Sequence, residues 1–104
     1  IVAGSLSIAL GTSLSIKKKN SKSKVWCFIG DMTAETGVFH ECYKYAMNFN
    51  LPINFIIEDN NLSTNTPTNK AWKKKSNFKN KSKIIYYTYK RELPHHGTGS
   101  WVLF

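Results

Sequence analysis

Long apolar runs are missing from this 104-residue chain, as are a C-x-x-C pair, an internal repeat and an initiating methionine. Its longest uncharged stretch, Ile1 to Ile16, falls short of the roughly 20 residues that span a bilayer. Its lysines, Lys17-Lys18-Lys19, follow that stretch, whereas a secretory leader carries positive charge first. The expectation is a soluble, cytoplasmic protein with no membrane partner, its N-terminus truncated from something longer. Cysteine is scarce too: Cys27 and Cys42 stand fifteen positions apart, which excludes a disulfide framework. Together with His40, His95 and His96 they match no zinc-ligand spacing, so buried structural thiols are expected. Acidic residues number 6 against 15 basic ones, a net charge of +9.

A charge of that sign suits nucleic acid, an anionic membrane or a phosphorylated ligand. Its distribution narrows the choice. The cations gather at Lys17 to Lys24, Lys70 to Lys83, and Lys90 with Arg91, while Val25 to Asn69 holds five acids and Lys44 alone as a cation. The excess thus sits on Asn- and Ser-rich connecting segments. Hydrophobic residues at 41% and aromatics at 13% support a real core. At this length a single domain, residues 1–104, buries roughly two-thirds of its surface, too little to enclose a large active site unaided.

Helical spacing of Leu6, Leu10 and Leu14 predicts a helix over Ile1 to Lys18, and Gly4, Ser7, Gly11 and Ser15 form a second stripe suited to close approach against a sheet. Val25 to Ile29 reads as a strand buried on both faces, ending at Gly30-Asp31. Thr33 to Asn50 is helical, with Phe39, Cys42, Ala46 and Phe49 on one face, stopped at Leu51-Pro52. Ile53 to Ile57 is a second buried strand, Leu62 to Asn69 a loop, Lys70 to Lys83 a basic loop or linker, and Ile84 to Tyr89 a third strand. Such alternation predicts an α/β domain, a three-layer, mostly parallel sheet with flanking helices.

In parallel sheets ligands sit beyond the carboxyl ends of the strands. The first tip carries Gly30-Asp31 and the second Glu58-Asp59-Asn60-Asn61, with Asn60 29 positions after Asp31. Gly30 permits a sharp turn and close backbone approach. Met32 and Thr33 open a helix whose free N–H groups favour a phosphate. A carboxylate, an amide oxygen and a carbonyl beside a diphosphate suit Mg²⁺, which takes one or two carboxylates plus phosphate oxygens. Each residue alone has a plainer explanation: Asp31 as a helix cap, Asn60-Asn61 as a turn.

Gly30-Asp31 followed by Asn60 resembles the thiamin diphosphate motif. The runs VWCFIGDM, TGVFHECYKYA, LPINFIIEDNN and, more weakly, TYKRELPHHGTG resemble the diphosphate-binding domain of the first-component alpha subunit of 2-oxo acid dehydrogenases. Transketolase-like proteins share the motif more distantly. The resemblance implies thiamin diphosphate and Mg²⁺ as cofactors, with Asp31, Asn60 and the Leu62 carbonyl as metal ligands. It implies that Gly30, Met32, Thr33 and Val2 contact the cofactor through backbone, and places His95 or His96 near its phosphates; the same two residues also read as a plain polar tail turn, or as acid–base groups in carbonyl chemistry, for which a near-neutral pKa suits His. Met32 departs from the usual second Gly, and Asp59 from the first Asn of the NN pair. The segment from Asn60 to Tyr87 is short for the family.

By the same resemblance the activating Glu belongs to a pyrimidine-binding, beta-type partner, so this chain is half a site in a hetero-oligomer. The reaction is 2-oxo acid decarboxylation with acyl transfer, or transketolase-like ketol transfer. On this reading Asp31→Ala loses the cofactor with little effect on the fold, Glu41 is a structural helix residue and Glu35 an exposed one. A separate alternative is a basic, non-catalytic chain binding single-stranded nucleic acid through Lys70 to Lys83, with Trp72 and Phe78 stacking on bases. A degenerate, inactive fragment is a third.

Overall fold

A computed structural model describes residues 2–93. Helix α1 (Gly4–Lys18) leads into β1 (Val25–Gly30), a one-turn α2 (Asp31–Ala34), α3 (Gly37–Asn48) and β2 (Ile53–Asp59). A two-residue hairpin, β3 (Leu62–Ser63) with β4 (Thr66–Pro67), precedes the one-turn α4 (Thr68–Ala71), and β5 (Ile84–Thr88) closes the series. The sheet is parallel with order β1-β2-β5. This is the expected α/β class, a parallel sheet with flanking helices.

The expected helix over Thr33 to Asn50 is broken in two. Thr36 explains the break: its hydroxyl donates to the Thr33 carbonyl at 2.7 Å and accepts from the Phe39 N–H at 3.3 Å. One side chain thus ends the first turn and caps the next helix. Only β2, in the middle, is buried along most of its length. On β1 the residues alternate, Cys27 and Ile29 inward, Trp26 and Phe28 exposed. The continuous apolar run of β1 was expected to be covered twice; as a sheet edge it is covered on one face.

Helices α1 and α3 both pack on the Cys27, Ile29, Phe55 and Ile57 face, where Leu6, Phe39, Cys42, Ala46 and Phe78 complete the core. Phe39 is its hub, with ring centroids 5.5 Å from both Phe55 and Phe78, edge to face, a favoured aromatic geometry. Phe49, expected on that face, is instead exposed and stacks on Tyr45 at 4.3 Å. The Gly4, Ser7, Gly11, Ser15 stripe also turns outward: nothing lies within 4 Å of a Cβ built on Gly11, and Leu6 and Ser13 face the core. Register places Trp26 and Phe28, Asn54 and Ile56, and Ile85 and Tyr87 on the opposite sheet face. Among the described residues that face has no helical layer, so two of the three expected layers are formed.

Both cysteines are free and buried, as expected, and burial pushes both thiols up. Among the described residues no helix is long and apolar enough to cross a membrane.

Candidate functional site

Parallel pairing sets the tips of β1 and β2 side by side, Gly30 opposite Glu58. Beyond β2 the chain turns through two successive Asx contacts. The Asn61 N–H donates to Asp59 Oδ1 at 2.8 Å and the Leu62 N–H to Asn60 Oδ1 at 2.9 Å, with Asn61 in the left-handed region at φ 60°. Asn and Asp tolerate this turn because their short side chains satisfy the backbone locally. The turn folds the β3–β4 hairpin back over the strand tips.

Between them lies a cleft of about 190 Å³, lined by Val2, Gly30, Met32, Thr33, Asn60 and Leu62, together with Glu58, Tyr89 and Arg91. The first six are the residues that the sequence proposed as cofactor contacts beside Asp31. Gly30 has an ordinary extended backbone at φ −75°, so the turn itself does not require glycine. A Cβ there would meet nothing within 4 Å; the free space belongs to the cleft. Asn60 Nδ2 donates to the Tyr89 hydroxyl at 3.1 Å, which fixes the amide with its oxygen toward Leu62. Arg91 spans the mouth, donating to the Thr64 carbonyl and to Asn65 Oδ1.

Asp31 itself is 4% exposed. Its Oδ2 accepts from the Thr68 hydroxyl at 2.6 Å and from Lys75 Nζ at 3.0 Å. Its Oδ1 is buried with no hydrogen-bond partner among the described residues. Lys75 also donates to Asp59, at 2.9 Å to Oδ1 and 3.0 Å to Oδ2, and to Asn61 Oδ1 at 2.8 Å. Tyr86 completes the set, its hydroxyl 2.5 Å from Asp59 Oδ2. Burial alone would raise the Asp59 carboxyl, but bonds from Tyr86, Lys75 and the Asn61 backbone outweigh it and hold the group below its ordinary range. Burial would likewise lower the Lys75 ammonium, and the two carboxylates raise it. Tyr86 is pushed up to about 12, by burial first and then by its bond to Asp59.

Five participants escaped the sequence reading: Lys75, Thr68, Tyr86, Tyr89 and Arg91. Lys75 looked like one lysine in a solvated run, and only the three-dimensional path of the segment singles it out. The two glutamates near Asp31 exchange the roles expected of them. Glu35 is half-buried and accepts from the Ser76 N–H at 2.8 Å and the Ser76 hydroxyl at 2.7 Å, whereas Glu41 is exposed. Met32 and Thr33 sit in a helix of one turn, whose first N–H groups still lack helical acceptors. His95 and His96 lie outside the described residues. Asp31→Ala does not fit the expectation of an unperturbed fold, because it would leave the buried Thr68 hydroxyl without its acceptor and Lys75 with one carboxylate in place of two.

The basic segment is tied down. Ser76 is held by Glu35, Phe78 is buried in the core, and Lys83 donates to the Leu51 carbonyl at 2.8 Å. A buried Phe78 cannot stack on a base, which removes half of the aromatic pair that the nucleic-acid reading relied on. Among the described residues no group of three His, Cys, Asp or Glu side chains is placed to hold a metal; any cation at the strand tips would draw on amide and carbonyl oxygens as well.

The family described as dehydrogenase E1 component matches residues 1–87. The alpha subunit of acetoin:2,6-dichlorophenolindophenol oxidoreductase from Bacillus subtilis (strain 168) is 39% identical over 67 residues, 64% of this chain. The match spans 20% of that relative's length.

Proposed function

The chain belongs to the dehydrogenase E1 component family, and from that premise we propose that residues 1–104 bind the Mg²⁺-diphosphate end of thiamin diphosphate as one half of a dehydrogenase active site. The observation that carries this is Asp31 Oδ1, a carboxylate oxygen that is buried yet without a hydrogen-bond partner among the described residues. Buried polar atoms are nearly always satisfied, and an unsatisfied one calls for a missing water, ion or ligand. Asp31 does not itself line the cleft; on the adjacent strand tip the Asn60 amide and the Leu62 carbonyl offer the hard oxygen donors that Mg²⁺ prefers. The residues present therefore fit the ion. Asp31, Asn60 and the Leu62 carbonyl would hold it, and the Met32 and Thr33 N–H groups, with Gly30 and Val2 alongside, would face the cofactor.

Thiamin diphosphate, when bound, supplies carbanion-stabilising chemistry that no amino-acid side chain offers. This chain's part is to bind and orient. The 190 Å³ cleft is smaller than the roughly 300–1,000 Å³ typical of a whole ligand site, as suits a half-site. The remaining half, with the activating Glu, would come from a pyrimidine-binding beta-type subunit, and the similar protein is itself named as a subunit. The reaction class is oxidation of a 2-oxo acid or a related hydroxyketone with acyl transfer. No residue of the cleft favours transketolase-like ketol transfer over it. By the family resemblance His95 or His96 would serve at the phosphate side of the cofactor.

The test is calorimetric titration of thiamin diphosphate into the chain with and without Mg²⁺, and into Asp31→Asn, which keeps the shape that Thr68 and Lys75 pack against. Binding that requires Mg²⁺ and weakens at least about tenfold in Asp31→Asn is expected, the loss of one charged ligand. Binding indifferent to both overturns the assignment.

A further inference from the structure

We infer that Lys75 is a built-in counter-cation of the strand-tip site: by holding Asp31 and Asp59 it makes the site accept a divalent cation already carrying a diphosphate in preference to the free cation. This rests on the proposed function for the identity of the ligand, but its physical basis is independent. Asp31 and Asp59 together present four carboxylate oxygens. Three are engaged: Asp31 Oδ2 by Thr68 and Lys75, Asp59 Oδ1 by Asn61 and Lys75, Asp59 Oδ2 by Tyr86 and Lys75. Asp31 Oδ1 alone has no partner among the described residues. The Lys75 ammonium, with Asn61 Oδ1 as a further acceptor, thus has four oxygens from three side chains within 3.0 Å. That is how a cation is surrounded, and a side chain fills the place.

Two carboxylates and one ammonium sum to a single negative charge. Divalent-cation affinity rises with the number of anionic ligands and with their freedom to coordinate. One free carboxylate oxygen is a weak invitation to a bare ion. An ion that arrives with two phosphate oxygens needs fewer ligands from the protein. Lys75 is suited to this because it is fixed. Lys73 and Lys74 are exposed, whereas the Lys75 side chain is 25% exposed, anchored by Ser76 on Glu35 and by buried Phe78.

The experiment measures Mn²⁺ binding to the chain by electron paramagnetic resonance, with the metal alone as probe. It compares the wild type, Lys75→Met, and Lys75→Met combined with Asp59→Asn. Removing the ammonium frees a second carboxylate, so Lys75→Met should bind free Mn²⁺ roughly tenfold more tightly, as added ligand charge predicts. The double variant, with one carboxylate left, should return close to the wild type. Unchanged or weaker Mn²⁺ binding by Lys75→Met overturns the inference. Melting of the metal-free proteins gives a second reading should Lys75→Met not fold. Asp59→Asn removes the repulsion left by the missing ammonium, so the double variant should melt above Lys75→Met, and one that melts no higher counts against the role. Failure of thiamin diphosphate to bind the wild type would sink the functional proposal, while the Mn²⁺ and melting comparisons still judge Lys75.

Discussion

Thr68 donates its hydroxyl proton to Asp31 Oδ2 at 2.6 Å, joining the start of α4 to the tip of β1 across 37 residues of chain. Thr68 is fully buried, and its own N–H donates to the Asn61 carbonyl at 2.9 Å. The residue therefore locks the hairpin to both strand tips. Thr68→Val keeps the shape and removes the hydroxyl. Hydrogen bonds to charged groups contribute about 1.5–3 kcal/mol, so urea unfolding should show a loss in that range for Thr68→Val and a smaller one for Thr68→Ser. A Val variant as stable as the wild type would mean that this bond does not form in solution.

Phe78 fastens the basic segment to the core, with its ring 5.5 Å from that of Phe39. Truncating a buried Phe costs about 3–5 kcal/mol, and in a domain this small much of that falls on the segment's own attachment. Phe78→Ala should therefore release Lys73 to Lys81 before the sheet unfolds. Limited trypsin digestion measures this directly: cleavage in the segment should speed up strongly in Phe78→Ala while the β1–β2 region stays intact. Equal rates in the two proteins would show that the segment is already loose.

The sheet and its tips were legible in the sequence because they rest on strong local signals. Val25 to Ile29 is wholly apolar and Ile53 to Ile57 is apolar but for Asn54, both rich in β-branched and aromatic residues, and Gly30-Asp31 and Asp59-Asn60-Asn61 are turn chemistry at the right separation. Gly30, Met32, Thr33 and Asn60 followed from those tips, and Val2 and Leu62 from the family resemblance, whereas Tyr89 and Arg91 did not follow from either. What was not legible depends on packing partners. Whether Trp26 and Phe28 are covered is decided by the position of β1 at a sheet edge, which composition does not encode. Lys75 is indistinguishable from Lys73 and Lys74 until Phe78 is known to be a core residue, since that burial sets which of the three lysines turns inward. Glu35 and Glu41 were assigned the wrong way round for the same reason: Ser76 reaches Glu35 only because the segment folds back across α2.

Alkaline solution should weaken the domain through Tyr86. Its hydroxyl is raised from 10.0 to about 12 in the folded chain, through burial and its bond to Asp59. A group whose folded pKa exceeds its unfolded value contributes stability that is complete below the unfolded pKa and is lost as pH rises through the folded one. The window is therefore from about pH 10 to about pH 12. Lys75, also raised, acts in the same direction. Thermal melts across this range should fall steeply in the wild type and less steeply in Tyr86→Phe, whose plateau at neutral pH is lower by one hydrogen bond. Tyr87 is raised as well, by its bond to Glu58, so phenolate absorbance should show more than one tyrosine titrating late, and the one missing in Tyr86→Phe identifies Tyr86.

The uncovered sheet face makes the opposite kind of prediction, of small effects on stability and large ones on solution behaviour. Trp26 is 54% and Phe28 60% exposed, and on the same face Ile85 is 47% exposed with Ile56 buried between the strands, an apolar surface on the side away from the helices. Exposed side chains contribute little to folding, and substitutions at such places usually change stability by within about 0.5 kcal/mol. Contiguous apolar surface of this kind nevertheless promotes association, and β1, as an edge strand, adds unpaired backbone groups to it. Replacing Trp26 and Phe28 together with Thr keeps strand propensity and removes the aromatic surface. The variant should unfold at nearly the wild-type urea concentration, bind less of a hydrophobic dye and stay monomeric at higher concentration. A marked loss of stability would instead mean that this face is covered in solution, because only buried aromatics are costly to remove.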